Sequence, residues 1–136
     1  MSRIGLLGGS FNPVHNGHLL MAQVALEGMK LDKVIFVPAF CSPHKTDHDL
    51  APAKHRLAMV KAVVKGNAAF GVCGEEIRRG GKSYTVDTLR AFKTEGPKAR
   101  LFLSTPRGFI NRMICSANGW CMRSQNPWRK SISFTG

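Results

Sequence analysis

The chain has 136 residues, 43% of them hydrophobic, with a formal net charge of +12. That length predicts one domain with an adequate core, and no apolar run approaches the ~20 residues that a membrane helix needs. Cys41, Cys73, Cys115 and Cys121 form no CxxC pair, which excludes the common zinc spacings.

Ile4 to Leu7 is a short apolar run that reads as a first strand. The N-terminus lacks a basic segment followed by an apolar core and a cleavage site. No signal peptide is therefore expected, and the predicted location is the cytoplasm, with the cysteines as reduced thiols. Gly8 to His18 (GGSFNPVHNGH) follows, and residues 16–29 then read as a helix. Two glycines, a serine and two histidines three apart thus sit where the first strand turns into the first helix. In open α/β sheets, nucleotides bind in the crevice at the carboxyl ends of the strands. Gly8 and Gly9 are expected to allow close backbone approach and unusual φ/ψ. The N–H groups at the helix start attract phosphate. His15 and His18 are expected on neighbouring positions of one helical face, both directed at the same polyphosphate. The bland alternative is that His15 caps the helix and His18 is a satisfied core histidine.

Lys33 to Pro38 (KVIFVP) is continuously apolar, as in a buried parallel strand. Pro38 to Lys45 leaves it at the same sheet end as the histidines. Pro43 stiffens that turn, and Lys45 can act as a point charge on phosphate. His44 and His48 read as loop residues. Pro52 to Lys65 reads as a second helix with Pro52 in its first turn. Arg56 on it reads either as a surface arginine or as a planar fork for a phosphate or carboxylate.

Ala68 to Cys73 reads as a third strand and Gly80-Gly81 as a turn. Ser83 to Thr94 reads as a third helix capped by Ser83 and stopped by Gly96-Pro97. The Tyr84-Thr85 step opens that helix and can offer its amides to an anionic or amide group. Arg100 to Leu103 begins a fourth strand. This alternation predicts a parallel sheet with right-handed crossovers. After it the regularity ends: residues 104–136 show no clean period, and five Lys/Arg face no acid. Residues 1–103 carry 15 Lys/Arg against eight acids. Such a charge attracts polyanions. No aromatic-interleaved RNA motif or helix-turn-helix pattern accompanies it, so nucleic acid is not the favoured partner.

GGSFNPVHNGHL, VPAFCSPHK with HRLAMV, and SYTVDTL, in this order, resemble the bacterial nicotinate-nucleotide adenylyltransferases, members of the nucleotidyltransferase superfamily with a His-x-Gly-His motif. Phosphopantetheine adenylyltransferase shares only the first segment and is the less favoured match. The resemblance covers residues 1 to about 103. It implies an α/β, Rossmann-like parallel sheet with flanking helices. It also implies adenylyl transfer from ATP to nicotinate mononucleotide, assisted by Mg²⁺, giving deamido-NAD and pyrophosphate in NAD biosynthesis. Carried over by position, His15 and His18 would contact the triphosphate. Gly8, Gly9, Ser10 and Phe11 would line the ATP site. Lys45 would hold phosphate between the substrates, Tyr84 and Thr85 would contact the nicotinate group, and Arg56 would be a supporting residue on the substrate side. No residue is implied as a metal ligand of the protein itself. The implied partners are ATP and nicotinate mononucleotide, without a membrane and with a homo-oligomer left open.

After the fourth strand the family continues with an Ile-Gly-Ser/Ala-Asp segment and, later, a Ser-Ser-Thr-x-Ile-Arg motif. Here Ser104-Thr105-Pro106 stands where the first belongs, and residues 131–135 (SISFT) do not form the second. The expected organisation is therefore a nucleotidyltransferase part over 1–103 and an irregular basic tail over 104–136. A reading-frame change near residue 103 would account for both. The alternative function is a truncated, catalytically impaired nucleotide-binding remnant, with one sheet edge left uncovered. An intact alternative frame in the coding DNA would support the frame change, and its absence would exclude it.

Overall fold

The computed structural model describes residues 2–41, 49–82, 85–95, 100–105, 109–116, 119–124 and 132–134. Strand β1 (Arg3–Gly9) leads into helix α1 (Asn16–Gly28), β2 (Lys33–Pro38), α2 (Ala53–Val64) and β3 (Phe70–Val72). A short helix α3 (Glu75–Arg79), helix α4 (Thr85–Glu95) and β4 (Arg100–Thr105) follow. The first four strands are parallel in the order β3-β2-β1-β4, as the strand–helix alternation predicts.

The sheet is covered on both faces. Successive residues of a strand point to opposite sides, and Leu6 and Leu7 divide accordingly. Leu7 joins Phe36 and Phe102 with Ala22 and Ala25 of α1 and Val60 and Val64 of α2. Leu6 joins Val37, Leu101 and Leu89 of α4. Double coverage explains why these strands read as apolar runs and not as alternations.

Helix α1 ends at Met29, and Lys30 adopts a left-handed φ of 49°, a conformation usually left to glycine. The Arg3 guanidinium donates to the carbonyls of Met29 and Lys30 and lies over the Phe102 ring. A cation at a helix C-terminus complements the dipole, so Arg3 ties the helix end to the sheet.

Gly5 is set by close packing. A Cβ there would stand 2.7 Å from Cδ1 of the buried Leu31 and 3.4 Å from Cγ2 of Val34. Gly5→Ala should therefore cost about 1–3 kcal/mol through overpacking. Urea unfolding measures this, and an unchanged midpoint would contradict it.

Three features differ from the sequence reading. Pro52 is the N-cap of α2, one residue before its first turn. Helix α3 is absent from that reading; five residues of EEIRR are too short to show a helical period. Beyond Thr105 the chain is not irregular throughout. Strands β5 (Phe109–Ser116), β6 (Gly119–Ser124) and β7 (Ile132–Phe134) continue the sheet antiparallel, in the order β4-β5-β6-β7. The edge of β4 expected to lie bare pairs with β5. FINRMICS lacks a polar–apolar alternation, which hides the strand, but the Asn118-Gly119 dipeptide is a hairpin signal in the sequence between β5 and β6.

Candidate active site

The register sets Gly9 of β1 beside Pro38 of β2, and Leu7 beside Ser104 of β4. β1 therefore lies centrally, with the chain order reversing across it. The crevice beyond its carboxyl end is the topological switch point at which α/β sheets bind ligands. Residues 10–18 leave the sheet there.

Gly8 and Gly9 belong to β1 and keep ordinary strand geometry; the unusual φ expected of them falls instead on Phe11, at 48°. A Cβ on Gly8 would meet nothing within 4 Å, so the space over that backbone is open to a ligand. A left-handed φ is costly for an aromatic residue and turns Phe11 inward. Its buried ring packs edge-on to His18, with centroids 4.9 Å apart, and against Phe36 at 5.6 Å. Phe11 thus packs beneath His18 with its ring in the core, whereas the resemblance implied a residue lining a ligand site.

His15 is the N-cap of α1, one residue before the helix, and His18 is its third residue. Their rings are neighbours, as expected of residues three apart, with His15 at the cap and not inside the helix. They form a capping box. The Gly17 N–H donates to His15 Nδ1 at 3.1 Å, and the His15 N–H donates to His18 Nδ1 at 3.1 Å. The rings lie against each other at a tilt of 36°, with centroids 3.9 Å apart. A Cβ on Gly17 would meet His15 Nδ1 at 2.9 Å, so the glycine between the histidines makes room for the ring.

This pattern assigns the tautomers. A nitrogen that accepts from a backbone N–H carries no proton. Each neutral ring therefore holds its proton on Nε2, and both rings offer an N–H donor at the positive end of a helix dipole. Capping engages Nδ1 of each ring, so the capping role does not compete with a role for Nε2.

His18 is only 8% exposed. Burial first, and the neighbouring His15 second, hold its pKa below the ordinary histidine value. The unfolded chain then binds more protons than the folded one over the interval between the two values. Stability contributed by neutral His18 is present above about pH 6.5 and is lost as pH falls through the lowered folded value. The urea midpoint should therefore drop between about pH 7.5 and pH 5.5 more in the native sequence than in His18→Gln. Equal drops would contradict this.

Arg56 is neither a surface residue nor a free fork. It is 1% exposed, and its guanidinium donates to the carbonyls of Ala51, Ser10, Ala39 and Phe40 at 2.6–2.8 Å. Burial lowers its pKa. Asn12 is a second residue that the sequence does not single out. Its amide donates to the Asp49 carbonyl at 2.8 Å and accepts from the Ala51 N–H at 3.0 Å. Nothing in the sequence marks these partners: apart from Ala51, five residues before Arg56, the groups they meet lie 16 to 46 residues away.

Thr85 begins α4. A parallel bridge between Cys41 and Lys82 brings the segment after β2 beside the approach to α4. Gly80 and Gly81 make the expected turn with φ of 69° and 68°. Buried Glu76 accepts from the Thr88 hydroxyl, which accepts from Arg79 at 3.1 Å, so α3 is tied to the first turns of α4. Lys45, Tyr84 and the expected cap Ser83 lie outside the described residues. Among the described residues no group of three or more His, Cys, Asp or Glu is placed to hold a metal ion, and no helix is long and apolar enough to cross a membrane.

The model of the Cytidylyltransferase-like family matches residues 6–111. A probable nicotinate-nucleotide adenylyltransferase of Halalkalibacterium halodurans is 48% identical over 103 residues, covering 75% of this chain and 50% of that protein. The Shouchella clausii protein of the same description is 46% identical over 113 residues, covering 83% and 59%. The chain thus spans about half the length of the curated relatives it matches. The structure of Plasmodium falciparum nicotinic acid mononucleotide adenylyltransferase complexed with NaAD superposes with a TM-score of 0.62 at 17% identity, over 76% of this chain and 51% of that one. This last likeness speaks to the fold.

Proposed function

The chain belongs to the Cytidylyltransferase-like family, and we propose that it serves adenylyl transfer from ATP to nicotinate mononucleotide, forming deamido-NAD and releasing pyrophosphate. The observation that carries the proposal is the hydrogen-bonded histidine pair. Both Nδ1 atoms are engaged by backbone N–H groups, which leaves two Nε2–H donors at the carboxyl end of β1. The relatives described as probable nicotinate-nucleotide adenylyltransferases support the choice of substrates.

The 5′-phosphate oxygen of nicotinate mononucleotide attacks the α-phosphorus of ATP, and the bond to the bridging oxygen breaks as pyrophosphate leaves. No protein nucleophile takes part. The protein positions two phosphates and stabilises charge. His15 and His18 donate from Nε2 to triphosphate oxygens. The open space above Gly8 lets the phosphates approach the backbone. Ser10 and Gly9 complete that wall, Lys45 holds phosphate between the substrates, and Tyr84 and Thr85 receive the nicotinate end. Mg²⁺ would enter with ATP and be held largely by its phosphates, a mode usual for that ion. It neutralises charge on the leaving group when bound. A cytoplasmic setting belongs to the same reading.

A second reading, nucleotide binding without turnover, is favoured by one observation: Ser104-Thr105-Pro106 stands where the family pattern has a different segment. The assay is pyrophosphate release with ATP, Mg²⁺ and nicotinate mononucleotide, beside His18→Ala. Release that requires the mononucleotide and vanishes in the variant is the expected result. ATP binding without release would favour the second reading. Release unaffected by His18→Ala would overturn the role given to the histidines.

A further inference from the structure

We propose that Arg56, with Asn12, is a positioning residue of the phosphate site, a buried clamp that holds the histidine loop in shape. The inference deepens the function proposed above and rests on it for the identity of the site.

A buried cation is costly unless its donors are occupied. All four described hydrogen bonds of Arg56 go to backbone carbonyls, from separate stretches of chain: Ser10 in the histidine loop, Ala39 and Phe40 after β2, and Ala51 before α2. An apolar residue of similar volume would fill the space at lower cost, but it could not bind three loops at once. The planar guanidinium can, because its donors diverge in a fixed fork; a lysine carries three donors on a single nitrogen.

The contacts close on themselves. Ala51 gives its carbonyl to Arg56 and its N–H to Asn12. Arg56 returns to Ser10, two residues before Asn12. The stretch Ser10–Asn12 is therefore held at both ends, with Phe11 between them in its left-handed conformation. The Phe11 ring is the surface on which His18 rests. Arg56 thus acts on the phosphate donors through Ser10 and Phe11, without itself facing a phosphate.

The experiment uses the full chain and two variants, Arg56→Lys and Asn12→Ala. The readouts are the pH midpoint of the His18 ring by NMR, in the absence of ligand, and the Kd for ATP with Mg²⁺. In the folded variants the His18 midpoint should rise towards the ordinary histidine value, and ATP binding should weaken by about tenfold or more. A folded variant with both quantities unchanged would overturn the inference. Asn12→Ala removes an exposed arm of the circuit, so it tests the clamp even where Arg56→Lys fails to fold. A shifted midpoint in a protein whose native form binds no ATP would sink the proposed function and leave the clamp standing. Native ATP binding with an unshifted midpoint and unchanged affinity in a variant would do the reverse.

Discussion

His18→Ala should weaken ATP binding about 10- to 100-fold, the equivalent of losing one hydrogen bond to a charged group at about 1.5–3 kcal/mol. It should also loosen the start of α1. The substitution removes the Nε2–H donor, the acceptor for the His15 N–H, and the ring packed between His15 and Phe11. Loss of half the capping box alone costs about 1 kcal/mol. His18→Gln separates the two roles. Glutamine at the third helical position supplies a capping-box acceptor, but no ring N–H above Phe11. Its urea midpoint should return towards that of the native chain, while its ATP affinity stays low. Isothermal titration with ATP and Mg²⁺, paired with urea unfolding of each variant, measures both. Native affinity in His18→Ala would remove His18 from the phosphate site.

Phe36→Ala should be among the most destabilising single changes, at about 3–5 kcal/mol. Phe36 is fully buried on β2. Its ring stands 5.6 Å from both Phe11 and Phe70, within the cluster that joins α1 and α2 to the sheet. Truncation leaves a cavity that those helices can close only in part. Against a total stability of about 5–15 kcal/mol for a domain, that loss is large. The effect should also reach the site, because Phe11 loses its support under His18. Phe36→Leu keeps most of the volume and should cost under about 1.5 kcal/mol. Urea midpoints of the two variants check the ranking. A loss of less than about 1 kcal/mol in Phe36→Ala would mean that the helices collapse onto the gap.

The parallel part of the sheet was legible in the sequence because strands covered on both faces read as unbroken apolar runs. KVIFVP needed no context to be recognised as β2. The location of the site was legible for a similar reason: GGSFNPVHNGH marks a strand-to-helix turn whose chemistry is local. Its inner workings were not. A cap at His15 was one of two readings open in the sequence, but closure of the box by His18 Nδ1 depends on ring orientation, which spacing alone leaves open. Phe11 was placed in the ligand site by the resemblance alone, yet a φ of 48° turns it into the core. Arg56 was read from its helix position, whereas its role depends on carbonyls 46, 17 and 16 residues away. Strands β5 and β6 were missed because FINRMICS and GWCMRS lack a period-2 pattern, and the alternation in β7 spans only three residues.

The most direct test of the account is an NMR observation of the two imidazoles during titration with ATP and Mg²⁺ at neutral pH. Long-range ¹H–¹⁵N correlation should show, in the free protein, an unprotonated Nδ1 and a protonated Nε2 on both His15 and His18. On adding nucleotide, the Nε2 signals should move while both Nδ1 atoms stay unprotonated. A protonated Nδ1 on either ring in the free protein, or nucleotide-induced changes that leave both Nε2 signals in place, would contradict the claim that this capped pair is the phosphate-binding centre.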